Sequence, residues 1–239
     1  MNTAALAPDQ DAAQAIGEPI AVSENLEIYV APNDERCDVV CIAFGGYLQG
    51  LGVPVFEFMK SMTAAGLSAV FARDPGRAWY QHPIAGFGEN PREMADVLSR
   101  VTAERFPGRR VVTIGNSMGG YAAIQFAALC GFHKAITFSP QAFISAEQRA
   151  AIGDTRWAAE LDAITSPVIP DLRPLIEASA LPVIVHVGGV NAFDRAHAAH
   201  LADLPSVIVR EHAECGHSPT KWLRERGLLL PLILEGIAP

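Results

Sequence analysis

Apolar residues along this chain fall into short β-branched runs separated by stretches with helical spacing. Residues 26–30, Leu-Glu-Ile-Tyr-Val, alternate and predict an early edge strand. Residues 38–44 hold Val39, Val40, Cys41, Ile42, Ala43 and Phe44 without a polar break, which predicts a central strand buried on both faces. Runs at 67–71, 111–114, 135–138, 183–187 and 206–210 read as further strands. Between them, residues 55–65 place Phe56, Met59 and Met62 on one helical face. Asn90-Pro91-Arg92-Glu93 is a helix start, with Asn90 as cap, Pro91 in the first turn and Glu93 reaching back. Met94, Val97, Leu98 and Val101 continue that helix on one face. Residues 121–129 form an apolar, Ala-rich helix ending at Gly131, and 194–202 form another. Ser218-Pro219 opens a C-terminal helix through Trp222 and Leu223, with Gly227 as its stop.

Strands alternating with helices predict an α/β fold, a mostly parallel sheet with helices on both faces. Residues 1–25 read as a loose arm and 26–239 as a single domain. Residues 141–180 hold no convincing strand, two weakly helical pieces and Pro167, Pro170 and Pro174. They read as a short insert before the strand at 183–187.

Composition narrows the classes. Half of the 239 residues are hydrophobic and 18% are charged, which suits one well-buried domain. A net charge of −8 argues against a general nucleic-acid or anionic-membrane surface. No apolar run is long enough to span a bilayer. The first 18 residues lack the basic start and apolar core of a signal peptide. Cys37, Cys41, Cys130 and Cys215 form no C-x-x-C pair, and fit reduced thiols in a cytoplasmic protein.

The chemistry centres on residues 109–131. Val111, Val112, Thr113 and Ile114 form a strand run; Gly115-Asn116-Ser117-Met118-Gly119-Gly120 is a very tight turn; an apolar helix follows. Strand, G-x-S-x-G and helix form the context that lifts a serine above a sheet edge at a helix N-terminus. On these residues the chain resembles the α/β-hydrolase superfamily, with Ser117 at the nucleophile elbow. The resemblance extends from about residue 26 to about residue 235.

A serine hydroxyl needs a base within reach, and the base needs an orienting group. The resemblance implies the order Ser, acid, His, with acid and base on loops after late strands. His217, in Cys215-Gly216-His217 after the last strand, is similar to the family's usual histidine loop; His212 is its rival. Asp194, in the loop after the 183–187 strand, matches the family's aspartate, and it also sits where a helix N-cap belongs. Glu214 is the alternative acid. His186 reads as a core residue, and His197 and His200, one turn apart, lack a third metal ligand.

The resemblance implies an oxyanion hole of two N–H donors: Met118, and either Gly46 or Tyr47 from the loop after the central strand. Phe44 departs there from the more usual His-Gly. Arg73, Trp79, Tyr80 and Gln81 lie on a loop expected to reach the cleft rim, and Gln141 and Tyr121 are expected near it. The implied activity is hydrolysis of a small-molecule ester through an acyl-serine intermediate, with no metal or cofactor. Acyltransferase, thioesterase and non-catalytic binding or partner protein are the alternatives. The serine argues against the dehalogenase and epoxide hydrolase branches, whose nucleophile is an aspartate.

Overall fold

The computed structural model describes residues 20–32, 37–48 and 56–239. Its strands are β1 (Ile20–Ser23), β2 (Leu26–Tyr29), β3 (Val39–Phe44), β4 (Ala69–Ala72), β5 (Arg110–Asn116), β6 (Lys134–Phe138), β7 (Val183–Gly188) and β8 (Val207–His212). Its helices are α1 (Met59–Ala65), α2 (Pro91–Arg105), α3 (Met118–Cys130), α4 (Ala146–Ile152), α5 (Ala158–Asp162), α6 (Arg173–Ser179), α7 (Ala192–Leu201), α8 (Pro219–Glu225) and α9 (Leu229–Ile237). The eight strands form one sheet in the order β1-β2-β4-β3-β5-β6-β7-β8. β2 runs antiparallel to β1 and β4; across the rest of the sheet, β4-β3-β5-β6-β7-β8, each strand is parallel to the next.

Strand side chains alternate across the pleat, so one sheet serves two cores. Val40, Ile42 and Phe44 of β3 face a core closed by α2, α3, α6 and α7. Val39, Cys41 and Ala43 face the other side, closed by α1, α8 and α9. The continuous apolar run of 39–44 follows from this two-sided burial. α3 is buried along almost its whole length under the sheet, which explains a helix rich in alanine and without a polar face.

The structure adjusts several expectations. The arm expected over 1–25 lies, for 1–19, outside the described residues, and its end forms β1. That strand covers β2, so β2 is not the edge. The helix expected over 55–65 begins at Met59, because Phe58 takes a left-handed conformation at φ 65°; Val55 lies outside the described residues. At α2, Asn90 Oδ1 accepts from Arg92 N and Glu93 N as expected. Glu93 reaches back to Glu89 N and the Asn90 amide. Residues 141–180 hold three short helices, α4 to α6, where two were expected. α9 follows the Gly227 stop, and its Ile233 and Ile237 complete the second core. Among the described residues no helix is long and apolar enough to cross a membrane.

Candidate active site

Ser117 sits between β5 and α3 at φ 55°, ψ −120°, a backbone conformation costly for any residue with a side chain. The turn is possible because its flanks are glycine. A Cβ at Gly115 would meet Gly119 O at 1.9 Å, and one at Gly119 would meet Phe44 O at 2.3 Å. Ser117 N donates to Phe138 O at 2.8 Å, which fixes the turn to β6. Met118 opens α3, so its N–H has no acceptor within the helix and the positive helix end faces the serine.

His217 lies in the loop between β8 and α8, with Nε2 3.1 Å from Ser117 Oγ. Its Nδ1 lies 2.9 and 2.8 Å from the two Asp194 carboxylate oxygens. Asp194 is 1% exposed and belongs to the first turn of α7. It is not the helix cap: Asn191 Oδ1 accepts from Phe193 N and Asp194 N, which leaves the Asp194 carboxylate to His217. Burial pushes this carboxyl up, but the hydrogen bonds and charges of His217 and Arg156 outweigh it and hold Asp194 below the ordinary range. The rivals lie elsewhere. His212 ends β8 and pairs with His186, while Glu214 is exposed.

A cavity of about 400 Å³ opens over Ser117 and His217, walled by Tyr47, Leu48 and Trp157 and bordered by Glu57 and Arg224. The Trp157 ring lies 5.1 Å from the His217 ring. Tyr47 is braced: its hydroxyl donates to Glu160 at 2.6 Å and accepts from Arg77 at 2.8 Å. Gly46 N–H, one of the two expected donors, is engaged by Glu57 Oε2 at 3.2 Å. Burial raises the Glu57 carboxyl to about 7, against the pull of that N–H and of Arg224. A larger cleft, about 690 Å³, lies beside α2 and contains neither Ser117, His217 nor Asp194.

No protein-family model matches the sequence, and no curated protein matches it. Solved structures do match. The capsule O-acetyltransferase of Neisseria meningitidis serogroup A superposes with a TM-score of 0.59 at 12% identity, over 89% of this chain and 92% of that one. An S-formylglutathione hydrolase from Staphylococcus aureus gives 0.60 at 14%, over 87% and 92%. MenH from S. aureus gives 0.59 at 14%, over 90% and 98%. The chain has the α/β-hydrolase fold. In an α/β-hydrolase sheet the Gly115–Gly119 turn occupies the strand-to-helix elbow, and the loops after β7 and β8 carry Asp194 and His217 to it.

Arg73, Trp79, Tyr80, Gln81, Tyr121 and Gln141, also expected at the site, do not line the cavity over Ser117. Tyr80 is fully buried and donates to Gly45 O and Ala72 O, so it supports the loop after β3 from behind. Tyr121 is fully buried and donates to Ile169 O. Arg73 turns away to Glu24 O and Asn25 Oδ1. Gln81 is held by Gln125, Trp79 O and Ile169 N. Trp79 and Gln141 lead in series to Ser117: Trp79 Nε1 donates to Gln141 Oε1 at 3.1 Å, and Gln141 Nε2 donates to Ser117 Oγ at 3.3 Å. Both are buried, and neither lines the cavity.

Sequence reasoning missed Glu57, Asp154, Arg156 and the wall residue Trp157. No spacing rule marks them. Glu57 reads as a polar position of an amphipathic helix, and Asp154 and Arg156 as a charged turn. Among the described residues no cluster of three or more His, Cys, Asp or Glu side chains is arranged to hold a metal ion. His197 turns to Asp154 and His200 to Asp171, so the two do not share a ligand position.

Proposed function

We propose that this chain is a serine hydrolase that cleaves a carboxylic ester through an acyl-serine intermediate. The observation that carries the reading is the aligned contact series Ser117 Oγ, His217 Nε2, His217 Nδ1, Asp194. His217 takes the Ser117 proton as Oγ attacks the acyl carbon, then returns it to the departing alcohol. A water, deprotonated by the same ring, releases the acid. Asp194 keeps Nδ1 protonated and offsets the imidazolium charge. Met118 N–H supplies one donor to the tetrahedral oxyanion. Gly46 or Tyr47 supplies the second, and use of Gly46 requires the Glu57 carboxylate to withdraw. The substrate is a small ester whose acyl or alcohol part packs on Tyr47 and Trp157, with the 141–180 segment as a partial lid.

Acyl transfer to an alcohol is the second reading. It shares the acylation half-reaction, and one of the structural neighbours is named an O-acetyltransferase, also described in complex with CoA. Another is named a fluorophosphonate-binding serine hydrolase, which makes that probe the natural test.

Stoichiometric fluorophosphonate labelling, with short p-nitrophenyl esters alongside, checks the reading. Wild type labels at Ser117 and Ser117→Ala does not. His217→Ala and Asp194→Asn lower kcat/KM by on the order of a thousandfold or more. Failure of folded wild type to label would sink the enzyme reading. Faster ester consumption on adding an alcohol acceptor, with an acylated product, would favour transfer.

A further inference from the structure

Arg156 stands behind the His217–Asp194 pair. Its Nη1 donates to Asp194 Oδ1 at 2.6 Å and lies 3.4 Å from His217 Nδ1. His217 Nδ1 bonds both Asp194 oxygens, so it carries the ring hydrogen. The approach of Arg156 to it therefore joins two donors: an electrostatic contact, not a hydrogen bond. On its other side Arg156 donates from Nε and Nη2 to the two oxygens of Asp154, at 2.9 and 2.7 Å. A bidentate pair of this kind fixes the plane of the guanidinium. Its faces are covered by the Trp157 and Phe193 rings, 5.0 and 5.1 Å away.

Asp154 is fixed in turn. His197 Nδ1 accepts from Ala142 N at 3.2 Å, so Nε2 carries the hydrogen and donates to Asp154 Oδ2 at 3.3 Å. Burial pushes the Asp154 carboxyl up, but His197 and Arg156 hold it well below the ordinary range. The row from Ala142 through His197, Asp154 and Arg156 to Asp194 is thus anchored at every member. It joins the segment after β6, the segment before α5 and helix α7. A guanidinium bound to the carboxylate that serves the base is more than a surface ion pair, because its charge acts on the same imidazole.

We propose that Arg156 is a positioning residue. It holds Asp194 against His217 and, balanced by Asp154, sets the net negative charge the imidazole faces. For its kinetic consequence this rests on the serine-hydrolase reading; for its electrostatic one it does not. The charged and titratable groups around the ring are Asp194 and His197 from α7, Asp154 and Arg156 from the segment before α5, and Cys215 from its own loop. Glu57 and Arg224 stand across the cavity. Removing the Arg156 charge leaves two carboxylates beside the ring, which favours the imidazolium. Neutralising Asp154 leaves Arg156 unbalanced, which disfavours it. The two changes move the ring in opposite directions.

The test is an NMR titration of the full chain with labelled histidine, the His217 signal being assigned through His217→Ala. In Arg156→Met the His217 titration moves to higher pH by about one unit or more. In Asp154→Asn it moves to lower pH, and Arg156→Lys, which keeps the charge, stays nearer wild type. The acid limb of the kcat/KM profile with p-nitrophenyl acetate moves the same way in each variant. Shifts of the same sign in Arg156→Met and Asp154→Asn, or no shift in either, overturn the proposal. If Arg156→Met does not fold, Asp154→Asn decides alone: an unmoved or raised titration overturns it. Opposite shifts without any esterase activity or labelling would leave this inference standing and sink the hydrolase reading. Turnover with an unmoved titration would do the reverse.

Discussion

A methyl group on residue 119 would lie 2.3 Å from the Phe44 carbonyl oxygen, a backbone atom of the central strand that has nowhere to go. Gly119→Ala is therefore expected to cost about 3 kcal/mol or more, read as a fall in unfolding free energy, and to abolish labelling of Ser117. Glu57 gives the opposite kind of prediction. Its carboxyl is raised to about 7, chiefly by burial, with Gly46 N–H and Arg224 pulling it down from a higher value. The folded chain thus keeps a proton that the unfolded chain loses above its ordinary value of 4.5. Whatever stability this lends is present below pH 4.5 and declines as pH rises through 7. Glu57→Gln is expected to remove that decline, raising stability at pH 8 relative to pH 5 by at most about 3 kcal/mol, since one unit is worth about 1.4 kcal/mol. Denaturant unfolding at both pH values checks it. The contrast between the two residues also marks what a sequence displays. The elbow glycines answer a local demand of the backbone, so the motif displays them. Glu57 acquires its role only by meeting Gly46, eleven positions away.

Among the elements, β7 and β8 carry the clearest consequence. β7 is buried on both faces, so His186 is held inside the protein, where it stacks on Phe138 at 4.9 Å and on His212 at 5.4 Å. Burial, then the charges of His212 and Arg210, lowers its titration to about 4, with Glu235 opposing. The unfolded chain takes up this proton near pH 6.5 and the folded one does not until about 4. The contribution is therefore complete above pH 6.5 and is lost as pH falls toward 4. His186→Phe is expected to flatten the fall in unfolding free energy between pH 7 and 4.5, by up to about 3 kcal/mol. An unchanged slope in denaturant unfolding would refute this. The reading of 183–187 as a strand with a core histidine needed only the apolar run around it. Over 141–180 the sequence disclosed two weakly helical pieces where the structure has three helices, and it did not disclose α9. α4, α5 and α6 are five to seven residues each and lack a sustained apolar stripe. α9 buries Leu229, Ile233, Gly236 and Ile237 at helical spacing, but Leu230, Leu232 and Leu234 stand between them and blur that face in the sequence.

Across the whole molecule, Ser117 follows β5, Asp194 follows β7 and His217 follows β8, and the parallel sheet delivers all three to one end. That convergence is encoded in order and spacing. Apolar runs fix the strands, the alternation of strands and helices fixes a parallel sheet, and a parallel sheet gathers every post-strand loop on the same edge. Hence the sequence by itself determined the fold class, the elbow at Ser117 and the loops that bring Asp194 and His217 to it. Side-chain direction at long range follows no period. Whether Arg73 and Tyr80 face the cleft depends on how the loop after β4 folds over the sheet, and Tyr121 of α3 is covered by Ile169 of the 141–180 segment. The helix cap passes to Asn191 because α7 begins two residues earlier than the pattern indicates, and this frees Asp194. Only the tertiary structure decided these points. It also brought Arg156 and Asp154, residues of an aperiodic segment, against the acid, and Glu57 onto the backbone donor beside the serine. Contacts between distant charged groups are set by the packed geometry of several elements at once, and no single stretch of chain contains that information.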